Sequence, residues 1–492
     1  MSNPIKKLAG QTAIYGLSSV IGRFLNYLLV PLYTSELVFK DPRDYGVVSE
    51  LYAWVAFLMV FLTMGMETAY FKFSSEGKNK KAIFQNALWS VIGINFVFLL
   101  FVVFFYQSIA EKLLYGDNPE YILLLGCIII IDAVSALPLA KLRAEQKAKQ
   151  FAIIQLTSIG VNIGLNLFLL LVIFDTNNPE QGVRFILIAN IVASLVKPLA
   201  LISDFKQLRF NINFGLIQQM LKYSFPLAIA GLAFIVNETI DRILLKPLTY
   251  KANVDELGEV LALGDATAQV GIYSASYKLA LLVSIFLQAY RYAAEPFFFA
   301  QAKDENRNKV YVKVMNYFVG FLFLCFLGVS LNIDVFKYFI PNQNYWEGLK
   351  VVPILLLANV FLGIYLNQSM WYKLSGQTKY GAYIAVGGAI FTLVANILLI
   401  PSYGYIACAW VTLGAYFGQL VASYYFGKKH YHIPYNIRKF FLYAGLAILL
   451  FFITKWMALT EGWLQLFIHN AFIALYLLFF LWLEKPFKKQ YE

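Results

Sequence analysis

The 492-residue chain is 60% hydrophobic and 17% aromatic, with only 14% charged residues and a formal net charge of +12. A soluble chain carries about a quarter charged residues, and runs such as "ALWSVIGINFVFLLFVVFFY" at 87–106 are too long and too uniformly apolar to be one face of a surface helix. Composition therefore excludes a soluble globular protein and predicts an all-α polytopic membrane protein; a β-barrel would show alternating segments of about ten residues, and none dominates.

Lys6 and Lys7 precede the first apolar segment. That segment has no A-x-A-like cleavage site, so it reads as a retained span and not as a removed signal peptide. At about 20 apolar residues per crossing, transmembrane helices are expected near 10–33, 45–70, 82–106, 121–140, 151–174, 183–203, 216–245, 270–300, 311–331, 349–371, 380–400, 404–426, 439–457 and 462–482. The basic residues alternate with the crossings. Dense clusters such as "KLRAEQKAK" and "GKKHYHIPYNIRK" fall on every second connection, while the others hold isolated lysines and arginines. Positive-inside bias then puts both termini in the cytoplasm. Contact with an anionic inner leaflet accounts for the net charge without nucleic acid. The longest outer connection, about 246–269, is too short for a soluble domain.

The chain repeats itself. "NYLLVPLYT" (26–34) answers "DRILLKPLTY" (241–250), and "DYGVVSELYAW" (44–54) answers "QVGIYSASYKL" (269–279), which pairs Gly46 with Gly271, Ser49 with Ser274 and Tyr52 with Tyr277. Six crossings per repeat is an even number, so the halves insert in the same orientation. The expected division is an N-terminal six-helix bundle (1–213), a C-terminal six-helix bundle (214–430), and helices 13–14 with a cytoplasmic tail (431–492).

Charges inside the crossings are costly, about 2.5–3.5 kcal/mol each at mid-bilayer on insertion scales, and mark candidate sites. Arg23 lies eight residues before Pro31, about 12 Å below the outer end at 1.5 Å per residue, with no acid one turn away; Asn26 follows it. Arg242 takes nearly the same place in the second repeat, so two guanidiniums are expected on corresponding faces, a pair suited to bidentate phosphate binding. Glu238 stands four residues before Arg242, the favourable order for a helical ion pair, which reads either as structural neutralisation or as a switch that yields to a substrate phosphate. Lys278, mid-span without a carboxylate one turn away, is the third candidate cation. Asp132 is an isolated acid near mid-bilayer and a candidate for ion coupling, with a capped structural Asp as the alternative. Asp241 and Glu50, the latter near the outer mouth, complete the coupling candidates. Glu67, Lys197 and Lys222 lie close enough to the inner end to snorkel. No P-loop signature is present, and the three histidines are peripheral, so neither a nucleotide cofactor nor catalysis is expected. Cys127, Cys325 and Cys408 read as small hydrophobes. His430 and His432 form an H-x-H too weak to propose a metal site.

The opening "GQTAIYGLSSVIGRFLNYLLVPLYT", the passage "DRILL…VGIYSASYKLA" (241–280) and "NILLIPSYGYIACAWVTLGAYFGQLV" (396–421) resemble the polysaccharide flippase branch of the multidrug/oligosaccharidyl-lipid/polysaccharide exporter superfamily over nearly the whole chain. The resemblance implies two parallel six-helix repeats plus two C-terminal helices, in a bacterial plasma membrane. The implied activity is translocation of an undecaprenyl-pyrophosphate-linked oligosaccharide from the inner to the outer leaflet, with spans 1, 2, 7 and 8 lining a cationic cavity. Polysaccharide polymerase or glycosyltransferases are the protein partners it implies, and no cofactor. Lipid II translocation, cation-coupled multidrug export and a non-transporting scaffold in polysaccharide assembly are the competing readings.

Overall fold

The computed structural model describes residues 20–76, 79–175, 178–302, 304–457 and 462–484. Thirteen helices in it are long and apolar enough to cross a membrane, and a shorter apolar helix, Val20–Tyr33, precedes them. In chain order they are α1 (Val20–Tyr33), α2 (Pro42–Glu76), α3 (Lys80–Lys112), α4 (Glu120–Ala144), α5 (Ala148–Ile173), α6 (Glu180–Ala200), α7 (Phe214–Leu257), α8 (Glu259–Arg291), α9 (Arg307–Leu331), α10 (Gln343–Leu374), α11 (Thr378–Tyr403), α12 (Tyr405–His430), α13 (Ile437–Met457) and α14 (Trp463–Glu484). The expected start of the first span, residues 10–19, lies outside the described residues. Helices suit this chain because a backbone in hydrocarbon must satisfy its own polar groups.

The helices fall into two compact units, one of residues 1–274 with 396–405 and one of 275–395 with 406–492. In the first unit, α2 is started by Asp41, whose carboxylate accepts from the Arg43 amide ahead of Pro42. It breaks at Met64 and Gly65, both in the left-handed region (φ 51° and 65°). Asn79 caps α3 through the Ala82 amide. α3 runs along α4, α5 along α6, and α7 along α2. A core of Met66, Ala69, Tyr70, Phe84, Leu88, Leu137 and Met220 joins α2, α3, α4 and α7. The far side of α3 leaves Phe96, Val97, Phe101, Phe104 and Phe105 exposed, a face fit for lipid and not for water.

The stretch expected as an outer loop, 246–269, is helical. α7 continues to Leu257, the chain turns at Gly258 (φ 79°), and α8 begins at Glu259. Pro247 is accommodated within the helix instead of ending it. The duplication reappears as geometry in this unit. A Cβ on Gly46 would stand 2.1 Å from the Thr267 carbonyl oxygen, and one on Gly271 would stand 1.9 Å from that of Pro42. Gly46 and Gly271 are repeat equivalents, and so, in the same alignment, are Pro42 and Thr267. The contact is thus reciprocal, as across a twofold axis, and two glycines allow the backbones to meet.

In the second unit α9 packs on α10, α13 and α14. The Phe480 ring sits 2.2 Å from where a Gly320 Cβ would be, and Tyr476 donates to the Gly320 carbonyl. Glu484 accepts from both Lys439 and Tyr443, closing α13 against α14. On α10, Asn359 Oδ1 accepts from Ser284 at 2.7 Å and Nδ2 donates to the Ala280 carbonyl. His430 stacks on Trp371 and meets the Tyr380 ring at a tilt, which gives it an aromatic packing role, and no group of metal-binding side chains occurs among the described residues.

Candidate functional site

α7 carries Glu238, Asp241 and Arg242 within one turn. Asp241 is buried and accepts from the Tyr273 hydroxyl at 2.6 Å and from the Arg242 amide at 2.8 Å. The Arg242 guanidinium donates to the Glu238 main-chain carbonyl at 2.7 Å, lies 3.7 Å from the Asp241 carboxylate and faces the Tyr273 ring at 5.8 Å. Its side chain retains 11% exposure. Asp241 therefore supplies a carboxylate beside Arg242, while Glu238 supplies a carbonyl and stays half-buried. The guanidinium is thus oriented by a main-chain carbonyl and a carboxylate of its own helix.

Arg23 is exposed on α1 and has no ion-pair partner among the described residues. Asn26, also exposed, lies 3.5 Å from the Asn162 amide nitrogen. Next to them Tyr33 donates to Asn166 at 2.8 Å and steadies α1 on α5. Lys278, in the second unit, is half-buried.

The other two coupling candidates are partnered as Asp241 is. Asp132 is not isolated: Lys197 Nζ, reaching from α6, donates to it at 2.8 Å. Lys197 points to this carboxylate, contrary to the expectation that it snorkels, since α4 and α6 are packed neighbours. Replacing Asp132 by Asn is expected to lower the melting temperature, with Lys197→Met in the same chain restoring it, because one partner alone is left charged in an apolar setting. Loss of transport at unchanged melting would instead mark Asp132 as a coupling group.

Glu50 does not sit in an open mouth. It is 1% exposed and meets Lys246, equally buried, with Nζ 2.8 Å from Oε2. This is an ionic contact, not a well-angled hydrogen bond. Tyr115, from the turn between α3 and α4, donates to the same oxygen at 2.6 Å, and its ring centroid is 3.4 Å from the ammonium. Burial and the Glu50 carboxylate push the Tyr115 phenol well above its ordinary range, so it remains a donor. Sequence reasoning assigned Lys246 to a loop and missed Tyr115 altogether. The signal for Lys246 was the spacing of Glu238, Arg242 and Lys246, four residues apart each time, which puts them on one helix face once α7 extends past residue 245.

With the fold and these residues described, comparison with known proteins is informative. The solved structure "Lipid II flippase MurJ, inward closed conformation" superposes with a TM-score of 0.71 at 15% identity, covering 95% of this chain and 98% of that one. An inward-facing multidrug resistance MATE family transporter of the MOP superfamily gives 0.57 at 12%, over 85% and 94%. The eukaryotic MATE transporter AtDTX14 gives 0.54 at 15%, over 90% and 98%. These likenesses are of fold. Among curated proteins, none matches the chain. Residues 8–301, more than half of the sequence, match the family model for polysaccharide biosynthesis proteins, and the chain belongs to that family of multi-pass membrane proteins.

Proposed function

We propose that the protein is a flippase carrying a prenyl-pyrophosphate-linked oligosaccharide from the inner to the outer leaflet of a bacterial plasma membrane by alternating access. The observation that supports this most directly is the pair of deep arginines in the segment matched to the polysaccharide family. Arg23 carries a charge with no counter-ion among the described residues, and Arg242 is held with part of its guanidinium still accessible. Fixed guanidiniums suit the paired oxygens of a pyrophosphate. In the proposed cycle the head group binds Arg23 and Arg242 with Asn26 as a neutral donor, while the prenyl tail stays in lipid. The repeats at 1–213 and 214–430 then rock about each other, as in other carriers built from parallel repeats. Glu238, half-buried beside Arg242, is the group that would compete with the phosphate. No bond is made or broken, so the protein is not an enzyme in this reading.

A flipping assay in proteoliposomes with a fluorescent prenyl-pyrophosphate-linked glycan tests the proposal. Arg23→Ala and Arg242→Ala are each expected to slow flipping about 10- to 100-fold, the equivalent of one hydrogen bond to a charged group at about 1.5–3 kcal/mol. Wild-type rates in both variants at normal folding would overturn it. Lipid II shares the pyrophosphate, so it serves as the competing substrate in the same assay. An organic-cation drug serves for the multidrug reading, which calls for acids where this chain has Arg23 and Lys278.

A further inference from the structure

The first unit also holds an open cavity of about 620 Å³ at the end where basic connections cluster, walled by the ends of α2, α3 and α4 and by Asp204 and Gln207 after α6. Its two carboxylates are already matched. Asp204 takes a 2.5 Å contact from Lys141, and Glu145 a 2.6 Å contact from Lys147 outside the wall. Lys80 and Lys81, also in the wall, have no ion-pair partner among the described residues. They occupy the first turn of α3, a 33-residue helix whose dipole adds positive potential there. Tyr70 is 3% exposed, lines the same cavity, and its hydroxyl makes no hydrogen bond among the described residues. Its hydroxyl is not among the buried polar atoms left without a partner, so it opens onto the cavity, where it can donate.

Two unmatched ammoniums, a helix N-terminus and an unused phenol around one cavity point to an anionic oxygen ligand. We propose that this cavity binds the phosphate-bearing head group of an anionic phospholipid in the adjoining leaflet. Lys80 and Lys81 contact the phosphate and Tyr70 donates to one of its oxygens, while Lys141, held by Asp204, forms the neutral floor. The membrane plane favours lipid over a free anion, since a polybasic segment at an anionic surface gains about 1 kcal/mol per lysine. The site is separate from Arg23 and Arg242, so it stands or falls independently of the flippase reading.

Native mass spectrometry of the purified protein with dioleoyl phosphatidylglycerol or phosphatidylcholine, paired with melting curves, tests it. Retained phosphatidylglycerol and a raised melting temperature are expected for the wild type, and neither with phosphatidylcholine. Lys80→Ala/Lys81→Ala is expected to weaken phosphatidylglycerol binding about tenfold and Tyr70→Phe severalfold. Lys149→Ala and Lys206→Ala, on the same end but outside the cavity, should leave it unchanged. Equal losses in those controls would reduce the site to diffuse surface charge and overturn the proposal. So would unchanged binding in Lys80→Ala/Lys81→Ala. Inorganic phosphate at millimolar concentration that stabilised the protein as well as the lipid would overturn the assignment to a lipid head group.

Discussion

Glu50→Ala is expected to lower the stability of the protein by about 3–5 kcal/mol, the range for removing one member of a buried ion pair. The cost comes from what remains. Lys246 would lose its counter-ion at 1% exposure, with the face of the Tyr115 ring beside its amine, and a desolvated cation–π contact is worth about 2 kcal/mol. Tyr115 would also lose the oxygen to which it donates. Restoring neutrality tests the cause: Glu50→Gln with Lys246→Met should recover most of the loss, because a buried pair is often replaceable by apolar packing. Thermal unfolding in detergent reads both. If Glu50→Ala melts with the wild type, or the double variant is worse than the single, the pair is not what holds this corner. Glu50 and Lys246 belong to different sequence repeats, so the proposed cycle predicts that the stable double variant still changes the flipping rate.

Gly271→Ala should be nearly as damaging, with a loss of about 3 kcal/mol, the upper part of the usual overpacking range. Its Cβ would lie 1.9 Å from the Pro42 carbonyl oxygen and 2.9 Å from the carbonyl carbon. These are backbone atoms, so no rotamer change relieves the clash and the helices themselves must part. Gly46→Ala meets the Thr267 carbonyl at 2.1 Å in the same way. Gly160→Ala is the control, since nothing lies within 4 Å of its would-be Cβ; there alanine should be neutral or stabilising by up to about 1 kcal/mol through helix propensity. Melting curves that place Gly271→Ala beside Gly160→Ala would refute the close crossing of α2 and α8.

Much of the architecture was legible in one dimension. An apolar run of membrane length specifies a crossing wherever it occurs, and the recurrence of Gly46, Ser49 and Tyr52 at Gly271, Ser274 and Tyr277 revealed the duplication without any contact being known. The same two glycines proved to touch, which no alignment states. The segment after Pro247 was misread because proline usually ends a helix; here the helix tolerates it and α7 carries Lys246 inward to Glu50.

The amino-acid sequence by itself determined the helical membrane class, the approximate places of the crossings and the internal repeat, because length, apolarity and recurrence are properties of a string. Only the tertiary structure decided which charges meet: Lys246 with Glu50 and Tyr115, Lys197 with Asp132 across 65 residues of chain, Tyr273 with Asp241. A helix that is apolar nearly all round does not declare which face turns to protein and which to lipid. The counter-ion of a buried charge is therefore set by which helices pack side by side, and the strong cost of leaving such a charge alone makes that choice binding.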